Sequence, residues 1–364
     1  MMNEFPLQTR CNPIGVSLSL EHRARPFHST HGILRFGSMT ARKGREMDAP
    51  TLQDIERARA RIAGTIHRTP LFTSRTLGER RGVAIYLKAE NFQKTGSFKA
   101  RGAYNNIVQL TDDEKARGVI TVSAGNHAAA VAWAAQAAGV RATVVMAESA
   151  SPVKVAATRG YGAEVILHGP TSVEAFAEMF RLREERNLTF IHPFDADRTL
   201  AGTGTIGLEI LEDVPDVDTV VVGIGGGGLI GGIATAIGEA KPSARVIGVE
   251  PTGANAMTRS LAAGAVVHLD RVDTIADGLA PPFVGELPLA RVQRYVENVI
   301  VLTDDEIKEG MRFLIERCKL VAEPAGAAAT AAVLLGKLSL RPGEKVAIIV
   351  SGGNVAPAQL KEWL

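Results

Sequence analysis

Lys99 stands in the stretch Gly96-Ser97-Phe98-Lys99-Ala100-Arg101-Gly102-Ala103, after a polar loop at 91–95 and before a helix. A lysine at a helix N-terminus, partly shielded from water, is neutral part of the time. A neutral amine condenses with an aldehyde to form a Schiff base. A lone lysine is more often a solvated surface cation, so the reading depends on its partners. Gly225, Gly226, Gly227 and Gly228 follow an apolar run at 219–224 and precede an apolar helix at 229–240. Backbone without side chains lets N–H groups close around an anion, and the helix N-terminus favours negative charge, so this turn fits a phosphate. A tight packing turn is the plain alternative.

Two further turns could bind polar groups. Ser123-Ala124-Gly125-Asn126-His127 joins a strand to a helix start. Its amides and side chains suit a carboxylate and a ring hydroxyl; a helix N-cap at Ser123 or Asn126 is the simpler reading. Ser351-Gly352-Gly353-Asn354 follows the last strand and could be only a turn. A competing pattern is present as well. Gly223-x-Gly225-x-x-Gly228 matches the dinucleotide fingerprint, with Glu250 lying 22 residues beyond Gly228. A nicotinamide dehydrogenase would use that fingerprint but leave Lys99 and Ser351 without a task.

These residues need a scaffold to bring them together. Thr51 and Asp54 make a capping-box start, and Ile55, Ala58, Ile62 and Ile66 keep helical spacing. Short apolar strands are predicted at 84–90, 119–123, 142–146, 163–167, 188–191, 219–224, 245–249 and 346–350. Helices are predicted at 127–138, closed by Gly139, and from Pro152 to about Gly160. Strand–helix alternation with β-branched strands gives an α/β protein whose parallel sheets are covered by helices on both faces. The length fits two lobes with a cleft between them.

Composition excludes other classes. The net charge is +2, and residues 1–49 hold seven Lys/Arg against four Asp/Glu. The rest is then −1, which leaves no basic face for nucleic acid. No apolar run is long enough to span a membrane. Cys11 and Cys318 have no metal-like spacing and suit a reducing cytoplasm. Residues 1–49 read as a disordered extension, an organelle transit peptide or an over-long start, and the sequence leaves the three open.

Together the turns resemble the fold-type II family of pyridoxal-phosphate enzymes, most closely the threonine/serine dehydratases (ammonia-lyases). The resemblance runs from Thr51 to the C-terminus. It rests on residues 88–103, 123–127, 225–229, Thr274-Ile275-Ala276-Asp277-Gly278, Glu323-Pro324-Ala325-Gly326 and 351–354, in the family's order. It implies a two-lobed, tryptophan synthase β-like architecture: a large cofactor-binding domain of 50–112 plus 197–364 and a small domain of 113–196. It implies that Lys99 holds pyridoxal 5'-phosphate as a Schiff base and moves the substrate's Cα proton. Phe98 then packs on the ring, Asn126 bonds its hydroxyl and Glu323 lies near it. Ser351 faces the ring nitrogen, while Gly225, Gly226, Gly227, Gly228 and Leu229 cradle the phosphate. Ser123, Ala124, Gly125, Asn126 and His127 lie around the substrate carboxylate.

The expected reaction is β-elimination of water from L-threonine or L-serine, giving a 2-oxo acid and ammonia. A neutral serine opposite the ring nitrogen makes a milder electron sink than a carboxylate, which favours prompt loss of a β-substituent. Expelling the hydroxyl needs an acid, for which the cofactor phosphate is a candidate. Alternatives are 3-hydroxyaspartate or a phenylserine as substrate, serine racemisation, or a cofactor-binding protein without turnover. Racemase relatives carry a serine where this chain has Ala124. A divalent or monovalent cation would use Glu250 and the Ala254 carbonyl, but the third ligand position is Ala256. Thr203 replaces a glutamine common among dehydratases. His192 reads as structural, and Glu323 also reads as a helix cap. Only 13 residues follow Ser351, so an appended regulatory domain is not expected. The family also implies a homo-oligomer, dimer or tetramer, acting on a small amino acid.

Overall fold

A computed structural model of the chain describes residues 50–364; the readings made of residues 1–49 lie outside the described residues. The strands are β1 (Leu71–Thr73), β2 (Ala84–Ala89), β3 (Val119–Val122), β4 (Ala142–Met146), β5 (Glu164–Leu167), β6 (Thr189–Phe190), β7 (Thr219–Gly223), β8 (Arg245–Pro251), β9 (Asn298–Leu302) and β10 (Lys345–Val350). The first seven helices are α1 (Leu52–Ile62), α2 (Arg75–Arg81), α3 (Lys99–Ile107), α4 (Asp112–Arg117), α5 (Asn126–Ala137), α6 (Pro152–Gly160) and α7 (Ser172–Glu185). The remainder are α8 (Asp197–Asp213), α9 (Gly228–Ala240), α10 (Ala256–Ala263), α11 (Glu286–Tyr295), α12 (Asp304–Phe313), α13 (Pro324–Leu334) and α14 (Pro357–Trp363).

Two sheets result. One has the order β1-β2-β10-β7-β8-β9 and is parallel except for β1. The other has the order β5-β4-β3-β6 and is parallel throughout. The period-two rule sorts their side chains. Val221, Ile348 and Val350 join a core with α12 and α13, while Val220, Val222 and Ile349 join a second core with α9. In the smaller sheet Val119 and Val144 face α5, whereas Ile120, Val122 and Val145 face Met179 and Leu182 of α7. Both faces of both sheets are therefore apolar, as the alternation predicts.

Helix α1 has the expected capping box between Thr51 and Asp54. It stops at Ile62, short of Ile66, because Gly64 takes φ +78° and turns the chain. Edge strands β1 and β9 are additional to those the periodicity predicts. β1 is three residues long and antiparallel, too short to show a period.

Helix α3 packs against α8 of the larger layer and α5 of the smaller one, so it bridges the two sheets with Lys99 at its first position. A buried ion cluster fixes it. The Arg101 guanidinium donates to Glu90 through Nε (2.9 Å) and Nη2 (2.8 Å), and to Glu209 through Nη1 (2.6 Å) and Nη2 (2.9 Å). Lys88 Nζ lies 2.6 Å from Glu209 and donates to the Thr69 carbonyl at 2.7 Å. Two cations and two anions thus cancel in a site with almost no exposure. Burial works against charge on Arg101, but Glu90 and Glu209 more than offset it and raise its pKa. Burial likewise opposes ionisation of Glu209, yet Arg101 and Lys88 hold its carboxyl below the usual range.

Removing one partner leaves the other charges buried and uncompensated. Arg101→Met is expected to cost about 3–5 kcal/mol in urea unfolding. Arg59→Ala, from an exposed pair with Glu212, is expected to cost no more than about 1 kcal/mol. Equal losses would show that the cluster does not anchor α3.

Candidate active site

Lys99 projects from the N-terminus of α3, where its Nζ donates to the Pro193 carbonyl at 2.9 Å and lies 5.1 Å from the Phe98 ring centroid. Burial pushes the amine down to about 8. A charge without a carboxylate partner is costly there, so the neutral form gains weight.

The glycine turn supplies the complementary half. Gly227 takes φ +90° and caps α9, which begins at Gly228. The N–H groups of Gly225, Gly226, Gly227, Gly228 and Leu229 donate to no acceptor among the described residues. Such a row of free donors at a helix N-terminus is built for an oxyanion. The packing reading of this turn also holds. A Cβ on Gly226 would fall 2.3 Å from the Phe194 ring, and one on Gly228 would fall 2.9 Å from Phe194 backbone. Phe194 follows Pro193, so one short segment supports both the turn and the lysine.

A second helix N-terminus faces the site. Gly125, not Ser123 or Asn126, is the N-cap of α5, and Ser123 Oγ accepts from the Gly125 N–H at 3.1 Å. The N–H groups of Ala124, Asn126 and His127 are unpaired among the described residues. The His127 imidazole is spent elsewhere: its Nε2 lies 3.1 Å from the Ile191 carbonyl and therefore carries the hydrogen. Burial and the Lys99 charge push it down to about 3. His127 thus offers an anion its backbone, not a charged ring.

Asn126 joins the halves. Its Nδ2 donates to Glu323 at 2.6 Å, and its Oδ1 accepts from Asn354 Nδ2 at 2.9 Å. Asn354 Nδ2 is also 2.7 Å from the Thr95 carbonyl. Glu323 occupies the N-cap position of α13 but makes no side-chain cap bond, so its capping role is positional only. Burial, with Asp277 adding, pushes its carboxyl up to about 8, which favours its neutral form. The 351–354 stretch is more than a terminal turn. Phe98 N–H donates to the Ser351 carbonyl, Gly353 N–H to the Gly96 carbonyl, and Ser97 pairs with Gly352. Ser351 Oγ makes only a long bond, 3.3 Å, to the Ala325 carbonyl. Ser97 Oγ is buried with no partner. Ser97 lies two residues before Lys99, and Ser351 is tied by its carbonyl to Phe98, the residue next to Lys99.

The remaining candidates lie outside this ring of contacts. Glu250 ends β8, and its oxygens accept from Met257 N–H, Thr258 N–H and Thr258 Oγ1. It accepts from the first turn of α10 and meets no basic side chain among the described residues, which corrects the salt-bridge alternative for this residue. Its oxygens are likewise occupied where a dinucleotide fold would need them for a ribose. Ala254 is buried in the turn between β8 and α10. Among the described residues no cluster of three or more His, Cys, Asp or Glu could hold a metal ion. His192 accepts from Phe194 and Asp195 N–H through Nδ1 and is structural, as expected. Thr203 Oγ1 donates to the Gly228 carbonyl at 2.7 Å, which ties α8 to the first residue of α9. Sequence reasoning missed Pro193, Phe194 and the Arg101 cluster. Lys88 inside a buried strand was the available signal, since such a charge requires a partner.

Comparison with known proteins agrees with this geometry. The family model described as pyridoxal-phosphate dependent enzyme matches residues 62–352. An L-threonine ammonia-lyase of Thermotoga maritima is 47% identical over 305 residues, covering 84% of this chain and 76% of its own. Maize serine racemase superposes with a TM-score of 0.83 at 40% identity, over 86% of this chain and 96% of its own. The processed form of threonine deaminase isoform 2 from Solanum lycopersicum gives a TM-score of 0.81 at 36% identity, over 86% of this chain and 89% of its own. The matched span takes in every loop from Lys99 to Ser351, and the chain belongs to the pyridoxal-phosphate dependent enzyme family.

Proposed function

We propose that this chain is an ammonia-lyase that removes water from L-threonine or L-serine and releases a 2-oxo acid and ammonia. The observation that carries this reading is a lysine of lowered pKa between two helix N-termini with unpaired amides, one on a glycine turn and one on a strand–helix turn. The relatives named above for threonine chemistry support the substrate class.

The residues fit pyridoxal 5'-phosphate: free donors at 225–229 match its phosphate, and the unpartnered Ser97 Oγ and weakly bonded Ser351 Oγ match polar positions of its ring. When bound, the cofactor supplies an electron sink conjugated to the substrate's Cα. In this reading Gly225 to Leu229 hold the phosphate, Phe98 lies against the ring, Asn126 and protonated Glu323 meet the ring hydroxyl, and Ser351 donates to the ring nitrogen. Ser123, Ala124, Gly125, Asn126 and His127 form the carboxylate loop, with His127 acting through its N–H. Lys99 Nζ accepts the Cα proton; a base with a pKa of about 8 is matched to neutral pH. No cation at Glu250 and Ala254 enters this scheme. Racemisation is disfavoured because Ala124 brings a methyl group where a proton donor would be needed.

The two-sheet division supports a small domain of 113–196 and a large domain of 50–112 plus 197–364. Exposed Phe72 and Phe92, edge to face at 6.0 Å, support a homo-oligomer. We place the enzyme in the cytoplasm; no described helix is long and apolar enough to cross a membrane.

The test is 2-oxo acid release by the cofactor-loaded protein with L-threonine, L-serine and L-threo-3-hydroxyaspartate offered separately. Release from threonine or serine is expected, and Lys99→Ala should lower it at least about a thousandfold. A visible cofactor band without 2-oxo acid from any substrate would overturn the reading. The pH dependence of cofactor capture is a separate check. Lys99 is protonated below about 8 and neutral above, so the rate at which apoprotein captures the aldehyde should rise with pH and level off beyond that value. A rate flat between pH 6 and 9 would contradict the lowered amine pKa.

A further inference from the structure

A polar cleft of about 200 Å³ opens between α1, the end of α3 and the start of α8, lined among others by Arg57, Arg61, Asn105, Gln109 and Arg198. It shares no residue with the site around Lys99. It is smaller than the roughly 300–1,000 Å³ of drug-sized sites, so it suits a small ligand.

Its charges are unevenly matched. Asp54 and Asp197 line it, and both are already engaged. Asp54 accepts from Thr51 N–H and Oγ1 and pairs with Arg57 at 2.6 Å, while Asp197 accepts from the Arg198 N–H at 2.7 Å. Among the described residues neither Arg61 nor Arg198 forms a close ion pair, although Asp54 acts on Arg61 and Arg198 on Glu114 through space. Arg61 Nη1 donates to Asn105 Oδ1 at 2.7 Å, and Arg198 Nη1 donates to the Gln109 carbonyl at 3.2 Å. Three guanidiniums against two carboxylates leave a surplus of one positive charge. The groups also repel: burial, then Arg198 and Arg57, push Arg61 below its ordinary pKa, with Asp54 only partly opposing them. Each guanidinium carries five N–H donors in a planar fork, and these two have spent only one apiece on neutral oxygens. A doubly charged anion between them would relieve the repulsion and accept the remaining donors.

We propose that this cleft binds a small dianionic oxyanion, a phosphoryl group or a dicarboxylate, held between Arg61 and Arg198. The site adjoins the two segments that set Lys99. Asn105 lies on α3, which begins with Lys99, and its Nδ2 donates to the Arg198 carbonyl at 2.7 Å. Arg198 is the second residue of α8, five residues after Pro193, the carbonyl partner of Lys99 Nζ. The proposal does not rest on the ammonia-lyase reading.

The test uses cofactor-loaded protein, so that the glycine turn is already filled. Inorganic phosphate and succinate are titrated separately by calorimetry, with sodium chloride at matched ionic strength as the control. One saturable site is expected, with phosphate against succinate telling which source the cleft prefers, and a raised unfolding midpoint on saturation. Arg61→Gln and Arg198→Gln should each weaken binding about tenfold or more. Arg57→Glu, at the exposed rim, replaces a positive charge with a negative one without touching the core and should weaken it as well. Absence of saturable binding for both anions, or binding that survives the Arg61→Gln/Arg198→Gln double variant, overturns the proposal. If the glutamine variants do not fold, unchanged affinity in Arg57→Glu overturns it.

Discussion

The neutral cluster of Lys88, Glu90, Arg101 and Glu209 is the constraint on which the site depends. It joins β2, the turn after it, α3 and α8 in one hydrogen-bonded set, and α3 carries Lys99 two residues before Arg101. Four charges are removed from water together, and none is left without an opposite. Such a set adds little net stability over a well-packed apolar core, but any arrangement that separates its members is strongly penalised. The cluster therefore specifies where α3 begins and which way its first residue faces.

The chemistry of the site follows from shielding. Lys99, Glu323 and His127 all move toward their neutral forms, and in each case burial is the leading cause. Positive potential comes instead from backbone N–H groups at the starts of α5 and α9. Fixed dipoles bind anions without a counter-charge that would have to be moved during a reaction. A lysine whose charged form is destabilised and an acid whose neutral form is favoured stand beside two helix ends with unpaired N–H groups, so the site can attract an anion without a fixed counter-charge on either side chain.

The close packing of that site is visible in single residues. Phe194 fills the space that side chains on Gly226 and Gly228 would need, so the glycines answer both to the anion and to the neighbouring ring. Thr203 reaches the Gly228 carbonyl from α8, a contact made by the residue at which this chain departs from many dehydratases. The loops around Lys99 are thus held by contacts from α8 and from the segment that precedes it.

The sequence by itself determined most of the strand–helix units, the capping box at Thr51, the glycine turn and the place of Lys99 at a helix start. These are legible because side-chain period, capping and tolerance for positive φ are set by near neighbours in the chain. The edge β1 is too short to show a period, whereas β9 is as long as β4 and was missed at a mostly half-buried edge. Only the tertiary structure decided the rest: the Pro193 carbonyl on Lys99, the Phe194 support, the burial of His127's ring against the Ile191 carbonyl and the Glu323–Asn126 bond across 197 residues. The charge state of each group belongs to that second set. A pKa is fixed by how much water is removed and which charges come near, and both depend on segments that meet only when the chain has folded.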